Sequence, residues 1–147
     1  MIKNFDHCTI VVSNIEEAKR FFAILGFRED FSAVISGDKF SAYMGVDNIE
    51  AEHVTLVLDG SSPQQEIQLL KYHKPAPLPD PHIMRLDKMG YNHLCFAVDN
   101  IEQEVRRLRE KGVKFLNDIM EFKNRKLTFF SGPEGITLEL SERLQIQ

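Results

Sequence analysis

The chain predicts an α+β fold made of two βαβββ modules. Three observations point there. Residues 5–16 and 91–102 align without a gap, and the match runs on through Arg20 with Arg106 to Gly26 with Gly112. Both halves show the same order of elements: strand, helix, strand, strand, strand. A proline-rich stretch, Lys74-Pro-Ala-Pro-Leu-Pro-Asp-Pro81, separates them. Neither repeat can bury its apolar face alone. The two sheets are therefore expected to pair as one curved, mixed sheet of eight strands with the helices outside. The expected organisation is one domain over 1–147, with a first module at 4–73, a linker at 74–89 and a second module at 90–142.

Each element has a local reason. Residues 5–12 are rich in Val, Ile and Thr, a strand composition. Ser13 or Asn14 then supplies an N-cap, and Glu16 and Glu17 place negative charge in the first helical turn. Ile15, Ala18, Phe22 and Leu25 follow at helical spacing, and Gly26 is a natural stop. Residues 27–35 read as a strand. Phe40, Tyr43 and Met44 suit a short helix. Residues 53–58 and 66–72 are strands joined by the turn Asp59-Gly-Ser-Ser-Pro63. The prolines of 74–81 lack N–H donors, so that stretch reads as a stiff extended linker. The pattern then restarts. Residues 91–98 form a strand, and Asn100 caps a helix that faces inward with Ile101, Val105 and Leu108 and stops at Gly112. Residues 113–116, 126–130 and 136–140 are the remaining predicted strands. The turn Ser131-Gly-Pro-Glu-Gly135 joins the last two.

Composition narrows the function. The chain is 147 residues long, 43% hydrophobic and 27% charged, as a soluble domain with a real core would be. No apolar run is long enough to span a bilayer, and the N-terminus lacks a signal-peptide layout. Neither a membrane partner nor a secretory route is expected. The net charge of −4 and the lack of a basic stripe argue against nucleic acid. Arg106-Arg107-Leu108-Arg109 is interleaved with glutamates and reads as a solvated helix face. Cys8 and Cys95 form no spaced framework, which suits a reduced, cytoplasmic setting. Both are expected to pack as small hydrophobes. There is no nucleophile elbow, phosphate loop, dinucleotide fingerprint or C-x-x-C.

The repeat itself carries the chemistry. His7 and His93 occupy equivalent places on the first strands. Ile67-Gln68-Leu69 aligns with Leu138-Glu139-Leu140, a polar residue between two apolar ones. Strand alternation sends Gln68 and Glu139 to the face opposite their neighbours. Two imidazoles, an amide and a carboxylate form a mixed nitrogen and oxygen set. Such a set suits a divalent Zn, Ni, Co, Mn or Fe ion. Glu66 and Glu142 are the rivals that a register error would introduce. Arg28 and Arg125 are candidate anchors for a substrate carboxylate, with an exposed salt bridge as the plainer role for each. Phe129 is a core ring that can also line a ligand pocket. His53, His73 and His82 are expected to be solvated or locally hydrogen-bonded.

These residues resemble the vicinal oxygen chelate superfamily, the glyoxalase/bleomycin resistance/dioxygenase fold. The resemblance covers nearly the whole chain. It rests most on Phe5-Asp6-His7-Cys8-Thr9-Ile10-Val11-Val12, Asn92-His93-Leu94-Cys95-Phe96-Ala97-Val98 and Gly132-Pro133-Glu134-Gly135-Ile136-Thr137-Leu138-Glu139-Leu140. It implies paired βαβββ modules around one divalent metal held by His7, Gln68, His93 and Glu139. That combination most resembles methylmalonyl-CoA epimerase and glyoxalase I-like relatives. The implied activity is that of a lyase or isomerase acting on a small-molecule substrate. The metal would chelate vicinal substrate oxygens, and Glu139 would serve as both ligand and base. Small members of this fold commonly pair, so a homodimer is expected. An Fe(II) extradiol dioxygenase using His7, His93 and Glu139 is the alternative, and Gln68 argues against it by filling a position such a site leaves open. A non-catalytic antibiotic-binding protein of the same fold is a further alternative, against which the retained ligand set speaks. A fosfomycin-type thiol transferase fits less well, because that group resembles a pattern with histidine where Gln68 stands.

Overall fold

Two asparagines, each just ahead of an apolar helical stripe, start the main helices of this computed structural model, which describes residues 1–144. The sequence reading carries the domain to 147, and residues 145–147 lie outside the described part. The chain divides into two compact units, with the boundary between Pro79 and Asp80.

The first unit runs β1 (His7–Val11), α1 (Ile15–Ile24), β2 (Phe27–Ser36), α2 (Asp38–Met44), β3 (Glu50–Leu58) and β4 (Glu66–Lys74). Asn14 is the N-cap of α1, and its side-chain oxygen accepts from the Glu17 amide at 3.1 Å. Such a cap stabilises by about 1 kcal/mol. Ile15, Ala18 and Phe22 are buried. Gly26 follows with φ 98°, a left-handed conformation that stops the helix. The four strands are ordered β1-β4-β3-β2. β1 runs parallel to β4, and the other pairs are antiparallel. Ile67, Leu69, Leu56 and Val54 form the helix-side face. The opposite face carries His7, Thr9, Glu66, Gln68, Thr55 and His53, because paired residues share a face and side chains alternate along each strand.

The second unit repeats the plan: β5 (Leu94–Ala97), α3 (Ile101–Glu110), β6 (Met120–Phe122), β7 (Arg125–Ser131) and β8 (Thr137–Arg143). Asn100 caps α3 by accepting from the Gln103 amide at 2.9 Å, and Ile101, Val105 and Leu108 are buried. The order is β5-β8-β7-β6, with β5 parallel to β8. The two four-stranded mixed sheets and three helices are the α+β class expected from the repeat.

Several boundaries differ from the sequence reading. β3 begins at Glu50 rather than 53. The strand expected at 113–116 is absent, and the second strand of this unit is β6 at 120–122. The stretch still touches β7 through the Leu116 amide to Phe129 O (2.9 Å) and the Ser131 amide to Lys114 O (2.9 Å). Asn117 then interrupts the ladder. Its side-chain oxygen accepts from the Phe129 amide at 2.8 Å, a position a strand carbonyl would otherwise take. The strand expected at 91–98 is confined to 94–97, so His93 sits on the segment entering β5.

The tight turn before β8 sets where Glu139 falls. The Gly132 amide donates to Ile136 O at 2.8 Å. A methyl group on Gly132 would lie 2.9 Å from both Ile136 Cγ1 and Leu138 Cδ1. Both neighbours are core side chains with little room to move. Gly132→Ala is therefore expected to cost about 1–3 kcal/mol of stability, read as a lowered urea midpoint. An unchanged midpoint would show that the turn is not the constraint inferred.

Candidate metal centre

His93 is held by its surroundings before any ligand is considered. Tyr91 Oη donates to Thr137 O at 2.8 Å and braces the approach to β5. Asn92 Nδ2 donates to Leu86 O at 2.6 Å. That bond fixes the amide's orientation, so Asn92 Oδ1 faces His93 Nδ1 at 2.7 Å. Nδ1 must then carry the proton, and the neutral ring presents the Nε2 lone pair. Nε2 lies 3.1 Å from Glu139 Oε2. Two acceptors at that distance repel unless a proton or a cation lies between them. Glu139 is 8% exposed and is the only buried carboxylate among the described residues. A buried charge of this kind needs a partner. The Phe129 ring packs edge-on against the imidazole, with centroids 5.0 Å apart.

Cys95 is not the inert core residue the sequence suggests. It is exposed and lies opposite Glu139 in the β5–β8 register. Burial of its sulfur pushes the thiol up to about 12, helped by a hydrogen bond to the Glu139 carboxylate. It stays a thiol at neutral pH, and its Sγ donates to Phe96 O at 4.0 Å.

The first unit holds an equivalent group of side chains. Asp6 Oδ2 lies 2.6 Å from His7 Nδ1, so this ring too has Nδ1 engaged and Nε2 presented. Asp6, His7 and Glu66 bring ligand atoms within 4.8 Å of one another, a group that could hold a metal ion. Gln68 sits two residues along β4, where its Oε1 accepts from His53 Nε2 at 3.2 Å. The registers state the equivalence. Gln68 pairs with Thr9, two residues past His7, and Glu139 pairs with Cys95, two residues past His93. Glu66 lies directly opposite His7. Of the two rivals, Glu142 is excluded: its carboxylate accepts from the Ile101 amide at 2.7 Å and caps α3 on the helix side. Glu66 shares the face of Gln68 and remains beside His7.

The donor chemistry fits a divalent ion. Each unit supplies an imidazole with Nδ1 tied to an oxygen and Nε2 turned away from that tie, the arrangement usual for metal-binding histidines. Each also supplies an oxygen donor on the same face. Among the other candidates, Arg28 is committed to Asp59 (2.6 Å) and Asp30 (3.3 Å) on the surface. Arg125 donates to Ser141 Oγ at 3.3 Å and forms no ion pair among the described residues. His73 meets Glu52 at 3.0 Å, the local role expected of it. Asp6, Asn92 and His53 escaped the sequence reading. The first two had a visible signal, since each directly precedes a repeated histidine. His53 had none, because its link to Gln68 exists only across the β3–β4 register.

The family described as Glyoxalase/Bleomycin resistance protein/Dioxygenase superfamily matches residues 4–140. The uncharacterized protein YaeR of Escherichia coli is 27% identical over 144 residues, covering 97% of this chain and 98% of that one. The lactoylglutathione lyase of Schizosaccharomyces pombe is 38% identical over 53 residues, but these are 36% of this chain and only 18% of that enzyme. A glyoxalase family protein from Bacillus cereus superposes with a TM-score of 0.85 at 24% identity, covering 99% of this chain and 97% of that one. The fosfomycin resistance protein FosX of Listeria monocytogenes, solved with Mn(II), shares the fold at a TM-score of 0.60 and 17% identity, with 97% of this chain and 93% of that one covered. The match over 4–140 settles the family: the chain belongs to the glyoxalase/bleomycin resistance protein/dioxygenase superfamily.

Proposed function

We propose that the protein is a divalent-metal-dependent lyase or isomerase of the glyoxalase I or epimerase type. Its ligands are His7 and Gln68 from one unit and His93 and Glu139 from the other, drawn from one chain or from two copies of it. The observation that carries this is the His93–Glu139 contact, a presented lone pair against a buried carboxylate at 3.1 Å. The stretch of likeness to lactoylglutathione lyase and the Mn(II)-bound fold neighbour support the same reading.

A bound divalent ion supplies Lewis-acid polarisation of a substrate carbonyl, which acidifies the adjacent C–H. The chain's own residues do the rest. Glu139 takes the proton at a carboxylate oxygen and returns it to the neighbouring carbon or to the other face. The His93 ring, 3.1 Å from its Oε2, limits that carboxylate's orientation, so little reorganisation accompanies transfer. The Phe129 ring shields one side of His93 from water. In the first unit, His53 fixes the Gln68 carbonyl so that its second lone pair is available.

Glu139→Gln should retain the fold by circular dichroism and lower solvent-proton exchange into a 2-oxoaldehyde–thiol adduct or an acyl-CoA ester by about 100-fold or more. Undiminished exchange would remove Glu139 from the reaction. His53→Ala should weaken Mn(II) or Zn(II) affinity by about 10- to 100-fold, as loss of an orienting partner does. Glu66→Gln should leave that affinity within about threefold. The reverse pattern in competition titrations would make Glu66 the ligand in place of Gln68.

A further inference from the structure

The second unit has a cavity of about 740 Å³ on the face that carries Glu139, lined in part by Cys95, Ala97, Arg125, Ser141 and Arg143. Two arginines lie in it side by side. Arg125 and Arg143 are directly paired residues of antiparallel β7 and β8. Like charges placed directly opposite each other across a sheet are destabilising. Among the described residues, neither arginine forms an ion pair. Two carboxylates line the same cavity without relieving this. Glu142 is turned to the Ile101 amide, and Asp99 makes no ion pair with either guanidinium. Ser141 Oγ takes one Arg125 N–H, which aims that guanidinium along β8 toward Glu139.

We infer that Arg125 and Arg143 form an oxyanion subsite that anchors a carboxylate or phosphate group of the substrate. Two guanidinium forks on one face match the planar or tetrahedral oxygens of such a group and cancel its charge. The spacing sets the substrate's length. Ser141 is two residues and Arg143 four residues beyond Glu139 on the same strand face, which is roughly 7 and 13 Å at strand rise. The acid group thus stands well away from the carbon that exchanges its proton. An extended conjugate fits, with reactive oxygens at one end and an acidic tail at the other. A bare 2-oxoaldehyde, which has no acid, would leave both arginines without a partner. This subsite rests on the proposed reaction only for its role. Its existence is testable alone.

The test is amide NMR of the isotope-labelled, metal-loaded full chain, titrated separately with inorganic phosphate, succinate and, as a control, chloride. The expected result is saturable shifts at Ala97, Ser141 and Arg143 with phosphate or succinate and none with chloride. Which of the two anions binds tighter identifies the acid group. Arg125→Gln and Arg143→Gln should each weaken binding at least about tenfold, and Arg125→Lys should fall between. Without the anion, Arg143→Gln should melt no lower than the parent, because it removes a repulsion. Shifts that are absent, that match chloride, or that persist in all three arginine variants would overturn the subsite. Phosphate seated on the metal instead would shift His93 and ignore the arginine changes, which also overturns it. Saturable, arginine-dependent shifts in a protein that binds no metal would uphold the subsite while sinking the proposed reaction.

Discussion

Everything at the candidate centre depends on which nitrogen of each repeated histidine is presented. A neutral imidazole has one N–H and one lone pair, and the chain decides between them with the residue just before. Asn92 engages Nδ1 of His93, and Asp6 engages Nδ1 of His7. Both rings are thereby set to offer Nε2. The two orienting residues differ in charge. Asp6 is exposed and adds a full negative charge behind its ring, whereas the Asn92 amide is neutral and further tied to Leu86 O. The two groups are thus alike in geometry and unequal in formal charge. The oxygen donors are unequal in the opposite sense, with a neutral Gln68 beside the charged Asp6–His7 pair and a charged Glu139 beside the neutral Asn92–His93 pair.

In the reaction proposed for this protein, that inequality has a use in proton transfer. A symmetric pair of carboxylates would leave no reason for one oxygen donor to act as base. Here Glu139 is the buried carboxylate, in contact with His93 at 3.1 Å. Gln68 cannot accept a proton and is suited to structural binding. The superfamily scaffold supports several chemistries, so the reaction must be argued from this asymmetry rather than from the fold.

Much of this was legible in the sequence, for identifiable reasons. The duplicated Val/Ile/Thr-rich runs, the two asparagine caps and the apolar stripes at Ile15, Ala18, Phe22 and Ile101, Val105, Leu108 are local signals, and the structure realises each. What was lost depended on cross-strand register. The stretch at 113–116 has strand composition, yet the Asn117 side chain takes a ladder position and displaces the strand to 120–122. Cys95 looked like packing until β5 set it opposite Glu139. The tie between His53 and Gln68 spans two strands that meet at a register no local pattern encodes. Arg125 was legible as a candidate anchor, but its pairing with Arg143 appears only where β7 meets β8.

The central claim is that the two half-sets serve one ion. Metal stoichiometry by elemental analysis and titration, on the parent and on His7→Ala and His93→Ala separately, tests it most directly. The account predicts one tightly bound divalent ion per pair of half-sites, lost in both variants. Two ions per chain, or retention of one ion when either histidine is removed, would mean that each unit binds metal independently and would contradict it.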